Sequence, residues 1–113
     1  MNLNTRRVYI CHPYSKDIKG NIKRVQMICR KIIKENRDKI YEIVPVPPQL
    51  FLGQYFDENE ESREEIMKHC LALLKGCDKM WVYRSEQGVV TRGMIEEIHY
   101  ASCQNIPFVF KEV

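Results

Sequence analysis

Four short apolar runs, which alternate with segments of helical periodicity, constrain the fold of this chain more than any other feature. The runs are rich in β-branched and aromatic residues, as buried strands are, and they cover residues 7–11, 41–46, 79–84 and 106–110. The segments between them carry apolar residues three or four positions apart and predict helices over residues 18–36, 62–75 and 94–104. The order β-α-β-α-β-α-β predicts a parallel sheet with helices on both faces.

The composition indicates a single globular domain, residues 1–113. Hydrophobic residues make up 44% of the chain and charged residues 29%, which is ordinary for such a domain. The net charge of +3 is small, and the basic residues concentrate in residues 16–39, so the pattern indicates a solvated helix face and does not favour nucleic-acid binding. No apolar run approaches the roughly 20 residues of a membrane span. Residues 1–7 lack the apolar core of a signal peptide, so we expect a cytoplasmic protein.

The five cysteines indicate reduced thiols and no disulfide framework. Their number is odd, and no two of them form a C-x-x-C pair. Cys29, Cys70 and Cys103 fall within helical patterns and are expected to be small core residues. His69 and His99 also fall on predicted helices, and we expect them to be half-buried structural residues. Because the thiols and imidazoles show no ligand spacing, neither a metal nor a cofactor is predicted.

Residues 88–102 are the strongest candidate for a site. They follow the third predicted strand, and Thr91, Arg92 and Gly93 provide the turn that leads into a helix. The unpaired N–H groups of a first helical turn attract anions, and ligands of parallel sheets bind at the carboxyl ends of the strands. Glu97 lies about one turn into this helix. It is either a catalytic carboxylate or simply a partner of the helix dipole.

Two other strand ends are expected at the same edge of the sheet. The first strand leads into His12, Pro13, Tyr14 and Ser15, and the second leads into the proline-rich residues 45–49. Tyr14 can stack on a flat base and Ser15 can bind an oxygen atom. The alternative is that Tyr14 packs on the surface and Ser15 only caps a helix.

Three motifs together resemble a known superfamily. They are Val-Tyr-Ile-Cys-His-Pro-Tyr-Ser at residues 8–15, Gly-Cys-Asp-Lys-Met-Trp-Val-Tyr at 76–83 and Thr-x-Gly-Met-x-x-Glu-Ile-x-x-Ala at 91–101. Over residues 6–111 the chain resembles the nucleoside 2-deoxyribosyltransferase-like superfamily, above all its small phage and bacterial members. That superfamily also includes the deoxynucleoside 5′-monophosphate N-glycosidases. The resemblance implies a flavodoxin-like or Rossmann-like three-layer α/β sandwich, a mostly parallel sheet of four or five strands, and cleavage of an N-glycosidic bond.

The resemblance also implies roles for individual residues. Glu97 matches the glutamate that attacks the anomeric carbon and holds a glycosyl ester, as in retaining glycosidases. Thr91 matches a phosphate-binding serine of the monophosphate glycosidases, so Thr91 with Arg92 favours a phosphorylated ligand. Tyr9 and the turn His12-Pro13-Tyr14-Ser15 match the segment that lines the sugar and phosphate site.

One position departs from the pattern of the superfamily. Active members carry an aspartate, in the helix before the third strand, that protonates or orients the leaving base. Counting back from Asp78, which is expected to be structural, the matching residue is Cys70. A catalytic site without its proton donor loses about 10²–10⁴-fold in rate. Glu64 or Glu65, from an earlier turn, are alternative donors.

Three functions remain open from the sequence. The leading one is an N-glycosidic-bond hydrolase or deoxyribosyltransferase that uses Glu97 on a small-molecule nucleotide or nucleoside. The second is a non-catalytic protein that sequesters or senses a nucleotide, which Cys70 favours. The third is an oligomeric scaffold, indicated by residues 49–60, which carry five large apolar residues without clear periodicity. That segment is a lid, a subunit contact or a packed part of the core. Because related subunits often complete each other's pockets, we expect a homodimer or a higher even homo-oligomer.

Overall fold

The structure, a computed structural model, describes residues 4–37, 39–57 and 62–112. Strands and helices alternate along the chain, as the sequence predicts, with one short additional helix. The elements are β1 (Thr5–Cys11), α1 (Ile18–Glu35), β2 (Glu42–Val46), α2 (Pro48–Leu52), α3 (Arg63–Lys75), β3 (Lys79–Tyr83), α4 (Arg92–Cys103) and β4 (Phe108–Lys111).

The four strands form one sheet in the order β2-β1-β3-β4, and every neighbouring pair is parallel. This arrangement confirms the predicted flavodoxin-like α/β sandwich. Pro45 lies within β2, where it pairs with Val8. A proline has no N–H group for the ladder, and the edge position of β2 tolerates this loss.

Side chains of β1 alternate between two cores, one on each face of the sheet. Val8 and Ile10 belong to a cluster beneath α1, which contributes the buried residues Val25, Ile28 and Ile32. Tyr9 and Cys11 belong to a second cluster on the opposite face, beneath α3 and α4, with Leu74, Met80, Val82, Met94 and Ala101. The alternation therefore directs Tyr9 and Cys11 toward α4, the helix that carries Glu97.

Three helices begin at a side-chain cap. Asp17, Ser62 and Thr91 accept hydrogen bonds from the backbone N–H groups of Gly20, Glu65 and Met94, at 3.2, 3.1 and 3.3 Å. Such caps satisfy N–H groups that a helix leaves unpaired. α4 consequently starts at Arg92, two residues before the predicted start of the helix.

The segment predicted as an irregular loop over residues 49–60 is partly helical. Its first residues form α2, in which Gln49 and Leu52 are buried, so this part packs with the core. Five residues are too few to show a helical repeat, which explains why the sequence pattern missed them. Phe51 and Tyr55 are exposed and remain available for the predicted subunit contact. Residues 58–60 lie outside the described residues.

Three predictions about the burial of side chains are wrong. Cys103, expected in the core, is exposed, and so are His69 and His99, which were expected to be half-buried. The cause is that few side chains of α3 and α4 are buried. They are Leu74 in α3 and Met94, Glu97 and Ala101 in α4. Cys29 and Cys70 are partly buried.

Among the described residues, no helix is both long enough and apolar enough to span a bilayer.

The orientation of α1 can be tested with two adjacent isoleucines. Ile32 is 5% exposed and packs against the sheet, whereas Ile33 is 41% exposed. Ile32→Ala should lower the free energy of unfolding by about 2–4 kcal/mol because it leaves a cavity, and Ile33→Ala by less than about 1 kcal/mol. Urea denaturation of both variants measures this difference. Equal losses would contradict the described orientation of α1.

Candidate active site

A buried carboxylate lies at the centre of the candidate site. Glu97, in the second turn of α4, is only 5% exposed. The hydroxyl of Tyr9 donates a hydrogen bond to its Oε2 atom. The thiol of Cys11 lies 3.6 Å from Oε1, closer than the 4.0 Å that separates it from the carbonyl of Met94. Each oxygen of the carboxylate therefore has a donor from β1.

Burial dominates the protonation of this cluster. It raises the pKa of Glu97 from 4.5 to about 7, although the hydrogen bonds from Tyr9 and Cys11 act in the opposite direction. Burial and then the charge of Glu97 raise the pKa of Tyr9 well above its ordinary value, and they raise the pKa of Cys11 in the same way. Both residues thus keep their protons near neutral pH and remain donors to the carboxylate.

Cys70 belongs to the same cluster. Its thiol, on α3, lies near Tyr9, and burial together with the negative charge of Glu97 raises its pKa to about 12. The position that the resemblance equates with a proton-donating aspartate is therefore close to Glu97. The residue there is a neutral thiol, a much weaker acid than a carboxyl group.

Hydrogen bonds from Asn21 and His12 hold the turn after β1 in place. His12 and Pro13 are buried, Tyr14 is partly buried and Ser15 is exposed. The side-chain amide of Asn21 donates to the carbonyls of Tyr14 and Ser15, at 2.9 and 3.3 Å. His12 Nδ1 lies 2.7 Å from the carbonyl of Pro13, and burial lowers the pKa of His12, so its ring is neutral at pH 7.

Gln49 is a polar residue of the site that sequence reasoning did not single out. Its Nε2 atom donates to the carbonyls of Ile10 and His12, at 3.3 and 3.1 Å, which ties α2 to the end of β1. The side chain is 6% exposed, and its Oε1 atom has no hydrogen-bond partner among the described residues. A buried acceptor without a donor is costly and calls for a ligand or a water molecule. The only signal in the sequence is its place directly after the prolines that end β2.

The predicted anion-binding turn contributes less than expected. Thr91 is the cap of α4. Arg92 is exposed, with Nε 3.6 Å from the Oε1 atom of Glu96. A Cβ atom on Gly93 would lie 3.4 Å from the side chain of Met67, so α3 and α4 approach each other closely there. Within the part of the chain that the structure describes, no hydrogen bond or ion pair connects Thr91 or Arg92 to Glu97.

Asp78 has the structural role that the sequence predicts. Its Oδ2 atom accepts a hydrogen bond from the backbone N–H of Arg7 at 2.8 Å, and its own N–H donates to the carbonyl of Arg7. These bonds join the start of β3 to β1.

In the part of the chain that the structure describes, Glu97 belongs to no metal-binding group and does not line the cavity beside it. Among the described residues, no group of three or more His, Cys, Asp or Glu side chains is placed to bind a metal ion. A cavity of about 580 Å³ lies between α3 and α4, and it is lined by Glu96 instead of Glu97.

Comparison with known proteins places the chain in a family. A family model described as "Domain of unknown function (DUF7768)" matches residues 6–111. The chain belongs to this family. A comparison of the DUF7768 chain with curated proteins gives no match.

Solved structures of two enzymes resemble the DUF7768 chain. One is a 2-deoxyribosyltransferase from the bacterium Bacillus psychrosaccharolyticus, with a TM-score of 0.63, 12% identity, and coverage of 94% of this chain and 72% of that one. The other is a 2-deoxyribosyltransferase from Leishmania mexicana, with a TM-score of 0.57, 14% identity, and coverage of 95% and 64%. At these identities the likeness establishes the fold alone. The nucleoside 2-deoxyribosyltransferase-like fold implied by the sequence motifs is thereby confirmed.

The raised pKa of Glu97 predicts a pH-dependent stability. Between pH 4.5 and 7 the folded DUF7768 chain binds a proton at Glu97 that the unfolded chain has lost, so stability falls as pH rises through this window. The total loss is on the order of 3 kcal/mol. In the Glu97→Gln variant this pH-dependent loss of stability should be absent. The variant should therefore be more stable than wild type above pH 7 and differ little from it below pH 4.5. Urea denaturation across this range measures the gap between the two proteins.

Glu96→Gln is the matched control, because Glu96 is the neighbouring glutamate and is more exposed. Its stability should still fall as pH rises through this window, because Glu97 remains and Glu96 makes only the smallest contribution to its raised pKa. A constant gap between wild type and Glu97→Gln at all pH values would contradict the raised pKa.

Proposed function

We propose that this protein cleaves the N-glycosidic bond of a small nucleotide or nucleoside, with Glu97 as the nucleophile. The observation that carries the proposal is the buried Glu97 carboxylate, which Tyr9 and Cys11 hold at the carboxyl end of β1. An ionisable group in such a position destabilises the folded protein and is typical of functional sites. The nucleoside 2-deoxyribosyltransferase-like fold supports the same class of reaction.

The proposed reaction begins with attack by an oxygen of Glu97 on the anomeric carbon. The carbon–nitrogen bond breaks as the ester bond forms, and the base leaves with the electron pair and must gain a proton. Water then hydrolyses the glycosyl ester, or a second base takes over the sugar. Because the pKa of Glu97 is about 7, a large fraction of the carboxylate is ionised near neutral pH. Low polarity around it strengthens its attraction to the positive charge that develops on the sugar.

Substrate contacts are proposed for the two turns that flank this carboxylate. The turn His12-Pro13-Tyr14-Ser15 directly follows Cys11, and the turn Thr91-Arg92-Gly93 opens α4. The hydroxyl of Thr91 accepts a hydrogen bond from the backbone, which leaves its own proton available for a phosphate oxygen. The N–H groups at the start of α4 favour an anion as well. These features support a nucleotide over a free nucleoside.

Gln49 supplies a further contact in this proposal. Its two amide hydrogens are directed to backbone carbonyls, so only its Oε1 atom, which is an acceptor, is left for a ligand. A substrate N–H or O–H group would satisfy this buried acceptor. An amino group on the base and a hydroxyl on the sugar both have the required chemistry.

A second candidate function is nucleotide binding without turnover. Cys70 is the observation that favours it, because a thiol with a pKa of about 12 is a poor acid for the leaving base. Under this alternative the pocket is retained, and the protein sequesters or senses the nucleotide.

The release of free base tests both candidates. Wild-type protein, Glu97→Gln and the control Glu96→Gln are incubated with nucleoside monophosphates and nucleosides, and released base is measured by chromatography. We expect release by wild type and by Glu96→Gln, and a loss of about 10³-fold or more in Glu97→Gln, because the nucleophile is gone.

Cys70→Asp distinguishes a slow enzyme from a binding protein. If proton donation limits turnover, the introduced carboxyl group should raise base release by about 10²-fold or more, whereas Cys70→Ser should not. Thermal stabilisation by a nucleotide, without base release from wild type or Cys70→Asp, would establish the binding function. Equal release by wild type and Glu97→Gln would contradict the proposed nucleophile.

A further inference from the structure

The face of the sheet beneath α1 is only partly covered. α1 packs over β1 and β2, where Val8, Ile10 and Ile43 are buried. Farther along the same face, Trp81 of β3 is paired in register with Val109 of β4. Trp81 is only partly buried and Val109 is 50% exposed. Tyr83, at the end of β3 on this face, is buried, but Trp81, Val109 and Lys111 are at least partly accessible.

Two aromatic rings and three cations alternate across this region. The Nζ atom of Lys79 lies 5.6 Å from the ring centre of Tyr41 and 5.5 Å from that of Trp81. The row continues at both ends. Arg6 lies 4.8 Å from the Tyr41 ring, and Lys111 lies 4.4 Å from the Trp81 ring. We call these five residues the aromatic–cationic row.

Within the described part of the chain, no carboxylate forms an ion pair with the cations of this row. Arg6, Lys79 and Lys111 take part in none of the ion pairs found in the described part of the chain. Glu35 lies near Tyr83, which is on the same sheet face, but it forms an ion pair with Lys31 and not with the row. The structure thus gathers three cations in one place, none of them in an ion pair with a described residue, although the net charge of the whole chain is only +3.

From this arrangement we propose that the aromatic–cationic row binds single-stranded nucleic acid. A single strand alternates flat bases with phosphates, and the row alternates flat rings with cations across a partly covered sheet face. Proteins bind single strands with these two components, aromatic stacking platforms and a positively charged track. A second copy of the chain fits poorly, because three cations would face the same three cations. An acidic peptide would satisfy the cations but offers the rings nothing to stack on.

This binding surface is independent of the proposed glycosidic chemistry. Glu97, Tyr9 and Cys11 lie on the opposite face of the sheet, beneath α3 and α4. Loss of base release in a Glu97 variant therefore says nothing about the row, and the two proposals fail separately.

Trp81 makes the proposal directly measurable, because it is the only tryptophan of the protein. Its fluorescence is recorded while a twelve-residue oligothymidylate or oligouridylate is added. We expect the emission to be quenched, with a dissociation constant between about 1 and 100 µM near physiological salt. Three phosphate contacts predict a slope of about −2 for the logarithm of the binding constant against the logarithm of salt concentration.

Two double variants with the same change in charge localise the binding. Lys79→Glu/Lys111→Glu alters the row, and Lys68→Glu/Lys75→Glu alters α3 on the other side of the sheet. We expect the first to weaken binding roughly tenfold or more and the second to leave it within about twofold. Circular dichroism and thermal melting verify that both variants are folded. Tyr41→Ala, which removes a ring and no charge, replaces the first variant if that one does not fold.

Four results would overturn the proposal. The first is a Trp81 emission that stays unchanged up to the highest oligonucleotide concentration, and the second is an equal loss of oligonucleotide affinity in both double variants. The third is a change in Trp81 emission with polyglutamate that equals the change with oligonucleotide. The fourth is an equal change with phosphatidylglycerol vesicles. The second would indicate diffuse electrostatic attraction, the third an acidic protein partner and the fourth a membrane surface.

Discussion

The hydrogen bond from Tyr9 to Glu97 joins β1 to α4 and is the interaction on which the rest of the site depends. A carboxylate that is almost fully buried is tolerated only when donors replace the water it has lost. Here the replacement is a phenol and a thiol on one face of a central strand, with no cation near enough to form an ion pair with Glu97 among the described residues. The pKa of Glu97 therefore rises to about 7, and the folded protein loses stability whenever the group ionises.

Neutral partners set what this carboxylate can do. An arginine or lysine beside Glu97 would fix it as a permanent anion and weaken its attraction to an electron-poor carbon. Tyr9 and Cys11 orient it without neutralising it, and Cys70 completes the surroundings as a third weak acid. Under the proposed mechanism Glu97 serves as the nucleophile, and the thiol of Cys70 is a poor acid for the leaving base. The two candidate functions therefore share the same pocket residues. What separates them is whether Cys70 can act as a proton donor to the leaving base.

Sequence reasoning predicted the fold well because its signals are local. Short apolar runs and helical repeats predicted the four strands and the three long helices, whereas five residues of α2 were too few to show a period. For the site, Glu97 stood out through its place after a strand and a turn. Its partner Cys11 did not, because an apolar strand residue and a thiol that contacts a carboxylate look alike in a sequence. That contact joins residues 86 positions apart and exists only because β1 pairs with β3 and lies beneath α4. The Oε1 atom of Gln49 has no donor among the described residues, and two lysines lie over the ring of Trp81. Both features likewise result from tertiary packing alone.

Intact-protein mass spectrometry after rapid acid quenching is the most direct test of the central claim, that Glu97 forms a glycosyl ester. The protein is mixed with the nucleotide from which it releases base, quenched within one turnover, and digested to locate any modification. The account predicts one added sugar on the peptide that contains Glu97, and none in the Glu97→Gln variant. Release of base from an unmodified protein, or a sugar attached to another residue, would contradict it.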